Sequence, residues 1–444
     1  MAQRIGFVSL GCAKNLVNSE QMMCLLSEAG YEVTGDTSDV DAVVVNTCGF
    51  IDSAKSEAID TILGLAEIKA EGGIGKIIVT GCLAERYRDE ILSELPEVDA
   101  VAGVGSFFDI TDVVSRTLAG ERFSVYGELG RPEPETGRVL TTSPVWEYIK
   151  IAEGCDNRCA YCVIPDLRGP FRSRAAEDIV AEAEQLAANG IRELIIVAQD
   201  ITRYGTDLYG RKMLAQLLRE LCRIDGIHWI RLHYLYPDEI DDELISVIAE
   251  EKKILKYLDI PIQHINDGIL ARMNRRGTGG EIRELFKKLR ERIDGLVLRT
   301  SLITGLPGEG EAEFEELCGF LREARIERAG VFPYSPEEGT PAAAMDRPDG
   351  ETAQRRAELV MELQSGIMDA YNESRVGSLT EVLAEGFDGT YWYGRSFAES
   401  PDIDGRILFT AGEDEDLDGF VLIEITGDID GEPVGKYVGP AGND

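Results

Sequence analysis

From Trp146 to about residue 373, short β-branched apolar runs alternate with amphipathic helical stretches. Candidate strands are Glu147–Ala152, Leu194–Ala198, Trp229–Leu235, Leu258–Ile262, Val297–Ile303 and Gly330–Pro333. Helical patterns lie between them, as at Ser173–Asn189 and Gly280–Arg292. Strands separated singly by helices pair in parallel, because the crossover helix returns the chain to the same end of the sheet. Six such units predict an α/β sheet curved like a barrel but shorter than the eight-unit form, with its working face at the carboxyl ends of the strands.

The first 120 residues show the same alternation in a different arrangement. Ile5–Leu10, Ala42–Val45 and Lys76–Val79 are strand-like, and each is followed by a helical stretch. Their ends are nearly identical: Ser9-Leu10-Gly11-Cys12, Asn46-Thr47-Cys48-Gly49 and Thr80-Gly81-Cys82-Leu83. Parallel strands present their carboxyl ends on one edge, where open α/β sheets bind ligands. Cys12, Cys48 and Cys82 can therefore converge despite their separation in sequence. One such Cys would be an ordinary buried turn thiol, whereas three in the same slot suggest a second metal cluster beside the one described next.

A different cysteine pattern follows the first strand of the six-unit segment. Glu153-Gly154-Cys155-Asp156-Asn157-Arg158-Cys159-Ala160-Tyr161-Cys162 places three thiols in one short loop. C-x-x-x-C-x-x-C suits a cuboidal iron–sulfur cluster and supplies no fourth protein ligand. The remaining iron is then open to a ligand, as the vacant position of a catalytic metal site is. The alternatives are a zinc site, which more often shows paired C-x-x-C units, and three unrelated thiols. With only three His, Cys/His zinc sites and His-based catalysis are poor fits. No signal peptide or membrane-length apolar run is visible, so nine cysteines read as metal ligands plus a few packing thiols in a reducing cytoplasm. Cys24, Cys222 and Cys318, inside apolar helical patterns, are the expected packing thiols.

Residues 121–145 are Gly-, Pro- and Glu-containing with weak periodicity and read as a linker. A long helix is expected from Gly350 to about Glu373. From 374 to 444 the short runs Leu379–Ala384, Arg406–Thr410 and Gly419–Ile425 between Gly/Asp turns predict a small all-β barrel. The whole chain carries 45 basic against 81 acidic residues, a net charge of −36. Such a surface repels nucleic-acid phosphate unless its cations cluster, and suits a basic protein partner.

The Cys155–Cys162 run resembles the signature of the radical S-adenosylmethionine (SAM) superfamily. The full set of segments, VSLGCAKNLVNSE, VVNTCGFI, VTGCLAERY, EGCDNRCAYCVIP, LDIPIQHINDGILARMNRR and TGLPGE, is similar to one family within it, the methylthiotransferases. That resemblance implies an N-terminal methylthiotransferase domain, a radical SAM core that is a partial (β/α)6 barrel, and a C-terminal TRAM domain. It implies two 4Fe–4S clusters as cofactors, on Cys155, Cys159 and Cys162 and on Cys12, Cys48 and Cys82, together with two SAM per turnover. One SAM is cleaved to a 5′-deoxyadenosyl radical, and the other methylates the sulfur held at the auxiliary cluster. An electron donor such as flavodoxin or ferredoxin and a sulfur donor are implied as partners.

Family members fall into two substrate branches, one acting on an adenosine of tRNA. The other acts on the β-carbon of an aspartate in the twelfth small-subunit ribosomal protein, free or in the subunit. The opening Val8–Asn15 and the segment Gly394–Gly405 both look like the ribosomal-protein branch, although Ala13 and Asn18 stand where many members have proline and aspartate. Charge agrees: residues 375–444 hold four basic and sixteen acidic side chains, a balance of 4 − 16 = −12. A tRNA-docking barrel would show a basic face instead.

For SAM itself the resemblance points to Tyr161 near the adenine. Position at strand ends adds Gln199, Asp200, Arg299, Gly305 and Pro307 as candidate contacts. Lys14 and Asn15 are candidates for lining the auxiliary site. His264 reads as structural, and Arg275 and Arg276 as partners of acidic neighbours. The acidic runs Glu413–Asp416 and Asp402–Asp404 are candidate docking charges for a basic partner.

Overall fold

The computed structural model describes residues 2–412, Leu417 and 419–441. The acidic run Glu413–Asp416 lies outside them. Three units follow one another. In the first, β1 (Arg4–Ser9), β2 (Glu32–Thr34), β3 (Ala42–Thr47), β4 (Ile77–Gly81), β5 (Ala100–Ala102) and β6 (Phe123–Val125) form a parallel sheet in the order β2-β1-β3-β4-β5-β6. β3 is buried on both faces. Ala42 and Val44 pack into one apolar cluster and Val43 and Val45 into another, the period of two that a sheet covered on both sides requires.

The second unit is a parallel sheet of β7 (Trp146–Lys150), β10 (Glu193–Val197), β11 (Trp229–Leu232), β12 (Ile254–Asp259), β13 (Val297–Thr304) and β14 (Arg328–Pro333) in simple sequential order. A two-stranded ribbon of β8 (Ala152–Glu153) and β9 (Arg172–Ser173) brackets the cysteine loop. The sheet remains open, a six-stranded partial barrel rather than a closed one. Its outer face meets the helices over a large apolar cluster that includes Leu194, Ile230, Leu258 and Leu298.

The third unit closes into a barrel, β15-β16-β17-β19-β18, from β15 (Leu379–Phe387), β16 (Trp392–Arg395), β17 (Ile407–Thr410), β18 (Phe420–Ile429) and β19 (Glu432–Pro440). It is seated on the inner face of the open sheet. Tyr148, Ile195, Val197, Trp229 and Tyr257 share an apolar cluster with Leu383 and Ala398 of the third unit and Val17 of the first. Buried charges lock this seat. The Glu193 carboxylate accepts from Arg231 and from Arg395, at 2.7 Å each, and Arg231 also donates to the Phe397 carbonyl at 2.8 Å. Tyr257 donates to Asp404 at 2.5 Å, and Ser400 Oγ meets His233 Nε2 at 2.9 Å.

Three expectations need correction. The segment 121–145 begins with β6, so the first sheet runs into the expected linker. The rest of that segment is a strap, in which Arg138 is buried between Glu20 of the first unit and Glu147 and Glu182 of the second. Cys24, Cys222 and Cys318 are only partly buried, Cys222 and Cys318 lying against the edge of the core. The fourth core strand is Ile254–Asp259 rather than Leu258–Ile262: pairing with β11 begins at Ile254, the last residue paired with β13 is Asp259, and Pro261 has no amide hydrogen to extend the ladder.

The Arg138 strap has a pH signature. Burial pushes the Glu147 carboxyl up to about 7, with Arg138 opposing and Glu20 reinforcing the shift. A carboxyl raised in the folded state stabilises it in neutral form below the unfolded pKa, and that contribution is lost as pH rises toward 7. Glu147→Gln, mimicking the neutral form, should therefore gain stability relative to the parent between about pH 4.5 and 7, on the order of 3 kcal/mol. Thermal midpoints across that range check it, and a constant difference would contradict it.

Candidate functional site

The carboxyl edges of both parallel sheets open onto one cavity of about 330 Å³. Cys12 follows β1, Cys48 follows β3 and Cys82 follows β4, and these three strands are adjacent in the sheet. Neighbouring strands stand about 4.8 Å apart, so turns after three of them deliver three thiols to one short stretch of edge. Glycine makes two of the turns possible. Gly11 takes φ +91°, and a Cβ there would lie 2.7 Å from Cys48 Cβ; Gly81 takes φ +94°, with a Cβ 2.4 Å from the Thr47 carbonyl oxygen.

Opposite them, Cys155, Cys159 and Cys162 line the same cavity. Lys14, Asn157, Tyr161, Arg168, Gln199 and Arg275 line it as well. Among the described residues no three His, Cys, Asp or Glu side chains gather tightly enough for a single metal ion. Two sets of three soft thiols spread around a shared space fit larger inorganic groups better than a zinc ion. Buried acceptors on two lining residues, Asn157 Oδ1 and Gln199 Oε1, have no protein donor, consistent with a polar ligand in the cavity.

Charge inside the cavity is arranged around Arg168. Its guanidinium donates to Asn18 Oδ1 at 2.8 Å, to Asn15 Oδ1, to Glu153 Oε2 at 3.3 Å and to the Cys82 sulfur at 3.4 Å. Glu153 also accepts from Lys150 at 2.9 Å and from Gln199 at 2.6 Å. On the other side Arg275 donates to the Tyr161 hydroxyl at 3.2 Å and the Pro261 carbonyl at 2.6 Å, and lies 3.8 Å from the Cys159 sulfur.

The thiols respond to these surroundings. Burial raises Cys12, but the charges of Lys14 and Arg168 outweigh it and draw the thiol below its ordinary value. Burial pushes Cys48 and Cys155 up to about 11, lifts Cys162 further, and raises Cys82 against the pull of Arg168.

Of the expected SAM contacts, Tyr161 and Gln199 line the cavity. Asp200 stands one step back: it accepts from Asn157 at 2.9 Å and from Thr202. Arg299, Gly305 and Pro307 are not among the lining residues. Arg299 pairs with Asp259 at 2.7 Å and with Asp404 at 3.7 Å, which makes it part of the seat for the third unit. Gly305 packs against Ala353, where an added Cβ would meet the alanine methyl at 2.3 Å. Lys14 and Asn15 do line the cavity, and His264 is fully buried, its Nδ1 accepting from the Asn266 amide.

Arg276 pairs with Asp238 and Glu239 as expected, but Arg275 does not, and sequence reasoning missed its place in the cavity. Arg168 and Glu153 were missed as well. Their closeness to the cysteine motif, within the run Glu153–Arg168, was the available signal.

Family models match in the same order: an uncharacterized protein family, UPF0004, over residues 4–103, the radical SAM superfamily over 149–321 and a TRAM domain over 376–438. Curated relatives named ribosomal protein uS12 methylthiotransferase RimO align over almost the whole chain. The one from Acetivibrio thermocellus is 46% identical, over 99% of each chain. That from Lachnoclostridium phytofermentans is 50% identical, over 95% of this chain and 97% of its own. The chain belongs to the RimO family of radical SAM methylthiotransferases. Among solved structures the fold resembles the radical SAM methyltransferase TsrM from Kitasatospora setae, solved with cobalamin and a [4Fe–4S] cluster. The TM-score is 0.59 at 15% identity, covering 77% of this chain and 74% of that one. The cobalamin-dependent SAM radical enzyme OxsB is also similar, with a TM-score of 0.51 at 14% identity, covering 83% and 56%.

The RimO-family cavity gives a reactivity order in metal-free protein. Cys12 presents its accessible surface to the cavity and its thiol is drawn down by two cations, so iodoacetamide at pH 8 should label it before Cys48, Cys155 or Cys162. Arg168→Gln should slow Cys12 labelling by several-fold, read by peptide mass spectrometry. Equal rates at all four positions would contradict the electrostatic assignment.

Proposed function

We propose that this protein methylthiolates the β-carbon of an aspartate in ribosomal protein uS12, with both three-cysteine sets holding 4Fe–4S clusters. One observation carries the reading: two sets of three cysteines, from two separate sheets, line one cavity. Cys155, Cys159 and Cys162 would hold the cluster that binds SAM, and Cys12, Cys48 and Cys82 the auxiliary cluster. When bound, these groups supply one-electron cleavage of SAM and a sulfur for transfer, chemistry beyond any side-chain acid or base.

The chain's own residues bind, orient and shield. Tyr161, with its hydroxyl fixed by Arg275, offers a ring for the adenine. Gln199 is held by Glu153 and offers a free acceptor, and Asn157, fixed by Asp200, offers another. Apolar walls such as Phe50, Ile164 and Leu235 limit water. An electron donor such as flavodoxin or ferredoxin and a separate sulfur source complete the reaction.

Basic uS12 suits the acidic third unit, and tRNA does not. Of its four cations, Arg375 and Arg395 are buried in ion pairs, while Arg406 and Lys436 face Glu432 and Glu424. No free basic face remains among the described residues for phosphate. The docking charges need revision, however. Asp402 is exposed, but the Asp404 carboxylate is buried against Tyr257 and Arg299, so reversing Asp404 would unseat the barrel rather than test docking.

The division of labour is testable. A Cys12→Ala, Cys48→Ala, Cys82→Ala variant, reconstituted anaerobically, should hold about four irons against about eight in the parent. Under dithionite it should form 5′-deoxyadenosine from SAM yet give no methylthiolated aspartate by mass spectrometry. Methylthiolated product from that variant would remove the sulfur-carrying role of these cysteines.

A further inference from the structure

Buried cations in this protein have carboxylate partners, as 81 acidic residues against 45 basic ones make easy. Arg138, Lys150, Arg168, Arg231, Arg356 and Arg395 all do. Two cations lining the cavity depart from this pattern: among the described residues, neither Lys14 nor Arg275 forms an ion pair. Arg275 spends its donors on the Tyr161 hydroxyl and the Pro261 carbonyl. Lys14 is different. It is 8% exposed, lines the cavity, and its ammonium sits 3.5 Å from the centroid of the Tyr234 ring. A cation–π contact orients an ammonium, and the Cys12 sulfur lies near it, but among the described residues no carboxylate pairs with it. A buried unpaired charge is costly unless an anion arrives to complete it.

Resting on the reading above, we propose that Lys14 receives the side-chain carboxylate of the substrate aspartate and so selects that residue for modification. Position argues for the substrate over other anions. Lys14 follows Cys12 by two residues, on the helix Ala13–Glu28 that starts at the auxiliary set. The carbon that accepts sulfur there is bonded directly to the aspartate carboxyl carbon. Bringing that carbon to the sulfur therefore brings the carboxylate to the cation beside Cys12. The other cation at this set, Arg168, is already engaged by Glu153, Asn15 and Asn18. Charge-assisted pairing of this kind would distinguish aspartate from its isosteric amide.

The test uses full-length reconstituted protein and two fluorescent peptides of the uS12 loop, one with the target aspartate and one with asparagine in its place. The parent should bind the aspartate peptide at least about tenfold more tightly than the asparagine peptide. Lys14→Gln should bind both alike, with asparagine-peptide affinity within about twofold of the parent. Lys14→Arg should recover part of the preference. Iron content and SAM binding by equilibrium dialysis should be unchanged in Lys14→Gln. A preserved aspartate preference in Lys14→Gln, or no preference in the parent, overturns the proposal. Loss of SAM or iron with the preference intact assigns Lys14 to the cofactors instead and also overturns it. Whether the parent methylthiolates intact uS12, read separately by mass spectrometry, tests the underlying function independently of Lys14.

Discussion

Arg168 ties the two halves of the site together, and Glu153 beside it keeps its guanidinium paired. Glu153 sits directly before the Gly154-Cys155 turn, and Arg168 follows the same cysteine loop. From there Arg168 reaches into the first unit, to Asn15, Asn18 and the Cys82 sulfur. Lys150 balances the pair from beneath, so the buried charges form a network rather than an isolated ion pair. Breaking such a pair by removing one partner leaves the other buried and uncompensated, which costs about 3–5 kcal/mol. The geometry of the cavity thus depends on a polar network that spans the two sheets.

A second consequence of burying charge appears at the third unit. The segment Ser396–Asp404 lies on the inner face of the open sheet, where Arg231, His233, Tyr257 and Arg299 meet it. An open parallel sheet leaves its inner face to be covered, and here the C-terminal unit covers it. Its exposed charge is mostly acidic, with Arg406 and Lys436 facing Glu432 and Glu424, which favours encounter with a basic protein and disfavours nucleic acid. Buried charges thus seat the small barrel, and its exposed charges are left to solvent.

Much of this was legible in the sequence because it depends on local pattern. Strand and helix periods located both parallel sheets, and the repeated Gly/Cys strand ends placed Cys12, Cys48 and Cys82 on one edge. The curated relatives bear out the family and its ribosomal-protein branch. What sequence position did not convey was direction across the sheet. Arg299 and Asp404 lie some 100 residues apart and meet only because the barrel folds back onto the inner face. Arg299 alternates with Leu298 and Thr300, and that alternation decides whether a side chain faces the barrel seat or the helices. Arg275 and Arg276, adjacent in sequence, part for the same kind of reason: one turns into the cavity and the other to the surface acids.

Both cysteine sets line one chamber. Anomalous diffraction at the iron edge from crystals of the anaerobically reconstituted protein tests it most directly. Two iron peaks are expected within the same cavity, one against Cys12, Cys48 and Cys82 and the other against Cys155, Cys159 and Cys162. A single peak, or an iron peak at the first set walled off from the second, would contradict it.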